Sequence, residues 1–166
     1  MTIEVTNSSG QLVPSAEVAS LLTFAMGELK LNPECDLNLG FIDDHYMTEL
    51  HIKWMDEPGS TDVLSFPMDM PEEEGEIVTL GDIMISPAFA AAQALTAGHS
   101  TEHEIYILAT HGLLHIIGYD HAEPDEEKIM FALQEQIVEK WKQLNESDSY
   151  RLHHFIVGFC RFSSCI

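Results

Sequence analysis

The chain has 166 residues, 45% of them hydrophobic, and its 28 acidic residues against 7 basic ones give a formal net charge of −21. This length and apolar fraction suit one domain with a single core, and the acidity argues against a broad basic surface for phosphate backbones, although solubility alone would also explain it. No apolar run is long enough to cross a bilayer and the first residues do not resemble a signal peptide, so we expect a cytoplasmic protein with no membrane partner.

The first half of the chain alternates between strand and helix periodicity. Ser15 is the predicted cap of the first helix, and Asp43 or Asp44 that of the second. The predicted elements are, in order, a strand over residues 2–7, a helix from Ala16 to about Lys30, a strand over 37–42, a helix through about Trp54 and a strand over 62–66.

The second half is punctuated by glycine and proline, which start and stop its predicted helices. Thr101 and Glu104 form a capping box that opens a helix rich in apolar residues, which we expect to be largely buried. The predicted elements are an acidic loop over 68–76, a strand over 77–86 bent at Gly81, and helices from Pro87 to Gly98, from Thr101 to Gly118 and from Pro124 to about Leu144.

This alternation predicts an α/β (α+β) fold, in which one mixed four-stranded sheet packs with about five helices. The fold is expected to occupy residues 1–146 as a single domain. Residues 147–166 differ in composition, since they hold both arginines, and form a predicted C-terminal tail. Within the tail, residues 155–159 suit either an added edge strand or a disordered end.

The segment "HGLLHIIGYDH" brings three histidines into eleven residues. His111 and His115 are one helical turn apart and share a face, and Gly118 can turn the chain so that His121 returns to the same side. This is the spacing of the zinc-binding segment of metzincin proteases. Three imidazoles and a water would form an open zinc site of the catalytic kind, one ion per chain, with another divalent metal as an alternative. The competing interpretations are three structural histidines or a closed structural metal site.

The residue after the first histidine is Gly112, where zincins carry the glutamate that activates water. A metal here would still lower the pKa of a bound water, but we predict no general peptidase activity. The general base is therefore unassigned. Asp120 is a candidate for that role or for orienting an imidazole, and a turn residue otherwise.

Two further pairs of residues invite a functional interpretation. Asp62 and Asp82 lie in strands, where carboxylates are unusual, and either would accept a backbone or histidine N–H. His99 and His103 are four residues apart, and we expect surface or capping roles for them.

Together with "STDVLSFP" and "LGDIMIS", the histidine segment resembles the YbeY family of bacterial rRNA maturation factors, which act as metal-dependent endoribonucleases. The stretch "LHIKWMDEPGSTDVLSFPMD" is most similar to the actinobacterial branch. The resemblance spans roughly residues 2 to 145 and leaves the tail unmatched. It implies a zinc site of His111, His115 and His121 on a metzincin-like helix. It also implies single-strand-specific cleavage in 16S rRNA 3′-end maturation and ribosome quality control, with rRNA and the small subunit as partners.

Met55 stands where many members of that family have an arginine that is a candidate for holding RNA phosphate. Lys53 is the nearest cation and would serve as a point charge, or else is an ordinary solvated residue. This departure keeps two other functions open. One is a different zinc metallohydrolase, acting on peptides or small molecules. The other is a non-catalytic ribosome-assembly adaptor, whose acidic face would bind a basic ribosomal protein or a GTPase.

Overall fold

The computed structural model describes the backbone of residues 3–55 and 62–160 and the side chains of residues 3–54 and 62–148. Within these residues the predicted mixed four-stranded sheet and five helices are confirmed. No helix in the described part combines the length and apolarity needed to span a membrane. The elements are β1 (Ile3–Asn7), α1 (Ser15–Glu28), β2 (Asp36–Phe41), α2 (Asp44–Met55), β3 (Val63–Pro67), β4 (Thr79–Ile85), α3 (Pro87–Ala97), α4 (Thr101–Ile116) and α5 (Pro124–Cys160).

The strands are ordered β1-β2-β4-β3, with β1, β2 and β4 parallel and β3 antiparallel at one edge. The predicted bend at Gly81 is a β-bulge, because Asp36 pairs with Thr79 while the next residue of β2 already pairs with Gly81. Gly81 has a φ of 144°, and a Cβ atom there would lie 2.2 Å from the carbonyl oxygen of Phe66. Only glycine allows β3 to approach this closely, and the bulge thereby sets the edge strand that faces the histidine helix.

The main core lies on one face of the sheet, where α1 and α4 pack on the strands and α5 packs on these two helices. The predicted burial of α4 is confirmed, with Ile105, Leu108 and Leu113 in this core. A smaller cluster formed by Met47 and Leu64 packs α2 on the opposite face of β3. Because successive side chains of a strand point to opposite faces, β3 separates α2 from α4.

Two predicted helix caps are wrong. The first helix is entered at Pro14, with no side-chain cap, and the Ser15 N–H bonds to the Val13 carbonyl instead. At α4 the cap is Ser100, whose extended backbone lets its Oγ accept the N–H of His103 at 3.1 Å. Ser100 and Thr101 both carry a hydroxyl, but only Ser100 lies just outside the helix, where a side chain can cap it. Of the two residues predicted to cap α2, Asp43 or Asp44, Asp43 is the one that does so, since its Oδ1 accepts the N–H of Tyr46 at 2.7 Å.

The last helix does not end near Leu144, because α5 continues to Cys160. No glycine or proline interrupts the chain between Pro124 and Gly158, so nothing in the sequence forces an earlier end. Residues 155–159 are helical, so the interpretation of this stretch as an edge strand is wrong. The helix crosses residue 146 without a break.

Candidate metal centre

The histidine helix α4 contacts the sheet directly at Gly112. A Cβ atom at this residue would lie 2.8 Å from Cγ2 of Ile83 and 3.2 Å from Oγ of Ser65. The Ser65 hydroxyl also donates to the Gly112 carbonyl oxygen at 3.0 Å. The residue after the first histidine therefore faces β3 and β4, and a glutamate at this position would push the helix off the sheet. Close packing explains why glycine occupies the position at which zincins carry their base.

The chain leaves α4 through a Schellman motif around Gly118, as the sequence predicted. Gly118 has a φ of 101°, its N–H bonds to the His115 carbonyl at 3.1 Å, and the Tyr119 N–H bonds to the Leu114 carbonyl at 3.0 Å. The N–H of His121 then bonds to Oδ1 of Asp120 at 2.7 Å. These bonds turn the chain back beside the helix, and they give Asp120 the turn role that was one of its three interpretations.

The turn brings the imidazoles of His111, His115 and His121 together. Each offers one ring nitrogen, and the three nitrogens lie within 4.8 Å of one another. The ring centroids are 4.5 Å apart for His111 and His115, 5.4 Å for His111 and His121, and 5.0 Å for His115 and His121. Nitrogens that share a tetrahedral zinc at its usual bond length are about 3.4 Å apart. His121 is exposed and the other two are half-buried, so the ring of His121 is the least restrained of the three.

Two carbonyl oxygens orient the half-buried imidazoles. The Nδ1–H of His111 donates to Oε1 of Gln134 at 2.8 Å, and the Nδ1–H of His115 donates to the Tyr119 carbonyl at 3.1 Å. A carbonyl only accepts, so each ring carries its proton on Nδ1 and keeps the Nε2 lone pair for a ligand. This is the arrangement that supports histidine ligands in metal sites, and the donor set therefore fits a divalent ion.

Gln134 was missed by the sequence analysis, since it lies on α5 and far from the histidine segment along the chain. It is only 7% exposed, on a helix face otherwise formed by apolar residues such as Met130 and Ile137. A polar residue on an apolar helix face was the one available signal, because buried amides require partners.

The electrostatics of the site favour the neutral form of His111 and His115, which is the form that binds metal. Burial is the main factor that lowers the pKa of His111, and the neighbouring His115 and His121 lower it further, against opposing effects of Gln134 and Asp62. Burial likewise lowers the pKa of His115, with His121 adding to it, while Tyr119 and Asp120 oppose the shift. Metal binding at neutral pH would therefore displace few protons from these two rings.

The other acidic candidates have local partners. Asp82 accepts the side-chain amide of Asn38 at 3.0 Å across the β2–β4 pair. Oδ1 of Asp62 accepts the N–H of Val63 at 2.9 Å, while its charge also raises the pKa of His111. Asp62 is thus close enough to act on His111 electrostatically, whereas Asp82 stabilises the sheet.

His99 and His103 take part in a network that connects the start of α4 to α5. The His99 ring bonds to Glu104 and packs edge-to-face on His103, with ring centroids 4.8 Å apart. The Nδ1 of His103 contacts the ammonium group of Lys142 on α5. Both rings are half-buried and connect α4 with α5, whereas surface or capping roles were expected of them.

Lys53 lies exposed on α2, with its ammonium group 5.3 Å from the Trp54 ring. Its helix packs on Leu64 and on Phe66, which point away from the face of β3 where Ser65 bonds to Gly112. Lys53 and the histidine helix thus belong to opposite faces of the edge strand. The side chain of Met55 lies outside the described residues.

Most of the chain is similar in sequence to one family of known proteins. A family model described as Endoribonuclease YbeY matches residues 4–142. The Endoribonuclease YbeY of Mycobacterium ulcerans (strain Agy99) is 49% identical over 148 residues, which cover 85% of this chain and 83% of that protein. The protein of the same name from Mycobacterium tuberculosis (strain ATCC 25177 / H37Ra) is also 49% identical over 148 residues, covering 85% and 84%.

A solution structure of a Thermotoga maritima protein has the same fold. It superposes with a TM-score of 0.61 at 23% identity and covers 89% of this chain and 93% of that one. The described arrangement of sheet and helices is therefore found in an experimental structure of distant sequence.

Proposed function

Because the chain belongs to the YbeY endoribonuclease family, we propose that it is a metal-dependent endoribonuclease specific for single-stranded RNA. Its substrate in the cytoplasm would be the 3′ end of 16S rRNA on the small ribosomal subunit, in maturation and quality control. The observation that carries this proposal is the convergence of three imidazoles, two of them oriented to present Nε2.

The proposed ion is one Zn²⁺ per chain, held by His111, His115 and His121, because imidazole ligands suit zinc among the common divalent metals. Bound there, it would act as a Lewis acid toward a phosphoryl oxygen and lower the pKa of water.

The chain's own residues hold this constellation rigid. Ser65 and Gly112 anchor α4 to the sheet, and the motif at Gly118 fixes the return of the chain. Asp120 uses one carboxylate oxygen for the His121 N–H and is exposed, so it remains the candidate acceptor of a proton from the attacking group. Asp120→Asn keeps the oxygen that bonds to the His121 N–H but removes the carboxylate, so it separates the turn role from the proton-acceptor role.

The direct test is cleavage of an RNA that carries the precursor 3′ end of 16S rRNA, in single-stranded form and annealed to a complement. We expect cleavage of the single strand alone, its loss with a chelator, and its return when Zn²⁺ is added back. If the metal-loaded protein cleaves neither form, the nuclease proposal fails. The adaptor that binds a basic protein through its acidic surface then becomes the better explanation.

RNA binding should depend only weakly on salt. Through residue 146 the chain has no arginine and five lysines, so few cations are available to meet phosphates. One or two phosphate contacts on a single strand predict a loss of affinity of about three- to sevenfold between about 50 and about 200 mM salt. Fluorescence anisotropy with a labelled oligonucleotide measures this. A loss of about a hundredfold or more would require many cationic contacts and contradict the argument.

β3 is an edge strand of the sheet, so an RNA that crosses this edge can contact Lys53 on one face and the histidines on the other. Lys53→Ala should then slow RNA cleavage by about three- to thirtyfold, the effect of losing one partly exposed charge-assisted hydrogen bond. Met55→Arg should raise the rate, since arginine binds phosphate with two donors. Lys140→Ala is the matched control. Lys140 lies on α5, and its ammonium group is paired with the Glu28 carboxylate of α1 at 3.0 Å. If both Lys53→Ala and Met55→Arg cleave at the wild-type rate, α2 makes no phosphate contact.

A further inference from the structure

An exposed phenyl ring lies beside the histidine cluster. Phe131 on α5 is 39% exposed, and its ring centroid is 6.0 Å from that of His111 and 6.1 Å from that of His121. The planes are tilted by 40° and 34°, so the phenyl ring is neither perpendicular to these imidazoles nor stacked flat on them.

The core of the protein does not account for this position. The buried face of α5 is formed by Met130, Ile137, Val138 and Trp141, and Phe131 lies outside that set. Phe131 is instead three residues before Gln134, on the same side of the helix. One turn of α5 thus presents two residues to the cluster: the Gln134 amide, which bonds to His111, and the exposed phenyl ring of Phe131.

We propose that Phe131 is the stacking surface for one unpaired nucleobase of the RNA, next to the phosphodiester that is cleaved; this rests on the proposed function. The separation of about 6 Å between the phenyl ring and the imidazoles is one that a single nucleotide spans. Aromatic stacking is worth about 1–3 kcal/mol per base and tolerates any sequence. In a chain with so few cations it supplies affinity that phosphate contacts do not.

The same contact would provide a reason for selecting single strands. A base within a duplex is already stacked on both faces, so only an unpaired base can lie on the phenyl ring. Phe131 is therefore a specificity determinant as well as a source of affinity.

The test compares Phe131→Leu, which keeps bulk and apolarity without a flat π face, with Phe131→Trp, which keeps the face. Ile129→Ala is the matched control, since Ile129 is 61% exposed on the same helix. Binding of labelled single-stranded RNA to the zinc-loaded protein is followed by anisotropy before cleavage begins, and zinc affinity is measured by chelator competition. We expect Phe131→Leu to weaken RNA binding by about 5- to 100-fold with unchanged zinc affinity. Phe131→Trp and Ile129→Ala should bind at least as well as the wild type.

A second arm uses RNAs that carry one abasic residue at each position around the mapped cleavage site. At one position the missing base should weaken binding to the wild type, and Phe131→Leu should lose nothing further there. Wild-type binding by Phe131→Leu, with RNA cleavage intact, overturns the stacking proposal and leaves the nuclease function standing. Loss of zinc affinity in Phe131→Leu also overturns it, since the ring would then only support the imidazoles. A wild type that neither binds nor cleaves RNA overturns both proposals.

Discussion

His115→Ala is expected to release the metal and abolish RNA cleavage. His115 is the middle one of the three proposed ligands, with ring centroids 4.5 Å from His111 and 5.0 Å from His121. Without it only the imidazoles of His111 and His121 remain, with ring centroids 5.4 Å apart. A catalytic zinc normally has three protein ligands, and two do not retain it. Substitutions that only disturb the support of a ligand cost about 10- to 100-fold in metal affinity, so loss of the ligand itself should exceed that.

Elemental analysis after dialysis, together with cleavage of single-stranded RNA, measures this effect, and circular dichroism verifies the fold. His103→Ala is the matched control, because His103 lies on the same helix and its ring belongs to the Lys142 network instead. The control should keep its metal and its activity. Equal metal content in His115→Ala and the wild type would contradict the assignment of the three histidines.

Gln134→Leu is expected to lower zinc affinity by about 10- to 100-fold without unfolding the protein. The substitution leaves the Nδ1–H of His111 without its acceptor in a half-buried position, so this ring loses its preference for presenting Nε2. Gln134→Glu keeps an acceptor oxygen at the same place and should restore binding, and Gln136→Leu is the exposed control on the same helix. Chelator competition measures the affinity.

Nitrogen NMR of the His111 ring separates a positioning role from a general loss of stability. In the wild type the proton should reside on Nδ1, and in Gln134→Leu it should distribute over both nitrogens. A Gln134→Leu protein with wild-type zinc affinity and an unchanged tautomer would show that the hydrogen bond does not position His111.

The histidine cluster was predictable because every part of it is local in sequence. The spacing of His111 and His115 follows from the pitch of a helix, and the return of His121 follows from Gly118. The helix caps at α1 and α4 were predicted wrongly because residue type alone does not decide where a helix begins. At α4, Ser100 and Thr101 have nearly equal capping ability, whereas at α1 the capping residue type, Ser15, lies inside the helix and Pro14 precedes it. In both cases the path of the chain into the helix decides which residue stands at the cap position.

The length of α5 was also mispredicted from composition, since the change of residue types after residue 146 does not include a helix breaker before Gly158. Polar and basic residues continue a helix as readily as the acidic ones that precede them.

By itself, the sequence determined the elements, the mixed sheet, the three histidines on one helix and turn, and the scarcity of cations. The elements and the turn depend on periodicity and glycine conformation, which act over a few residues. The scarcity of cations is a property of the composition of the whole chain. Only the tertiary structure decided that Gly112 is required by contact with Ser65 and Ile83, and that Gln134 and Phe131 on α5 face the histidines. The physical reason is that these contacts join elements distant in sequence, and their geometry follows from how α4 packs on the sheet and α5 packs on α4.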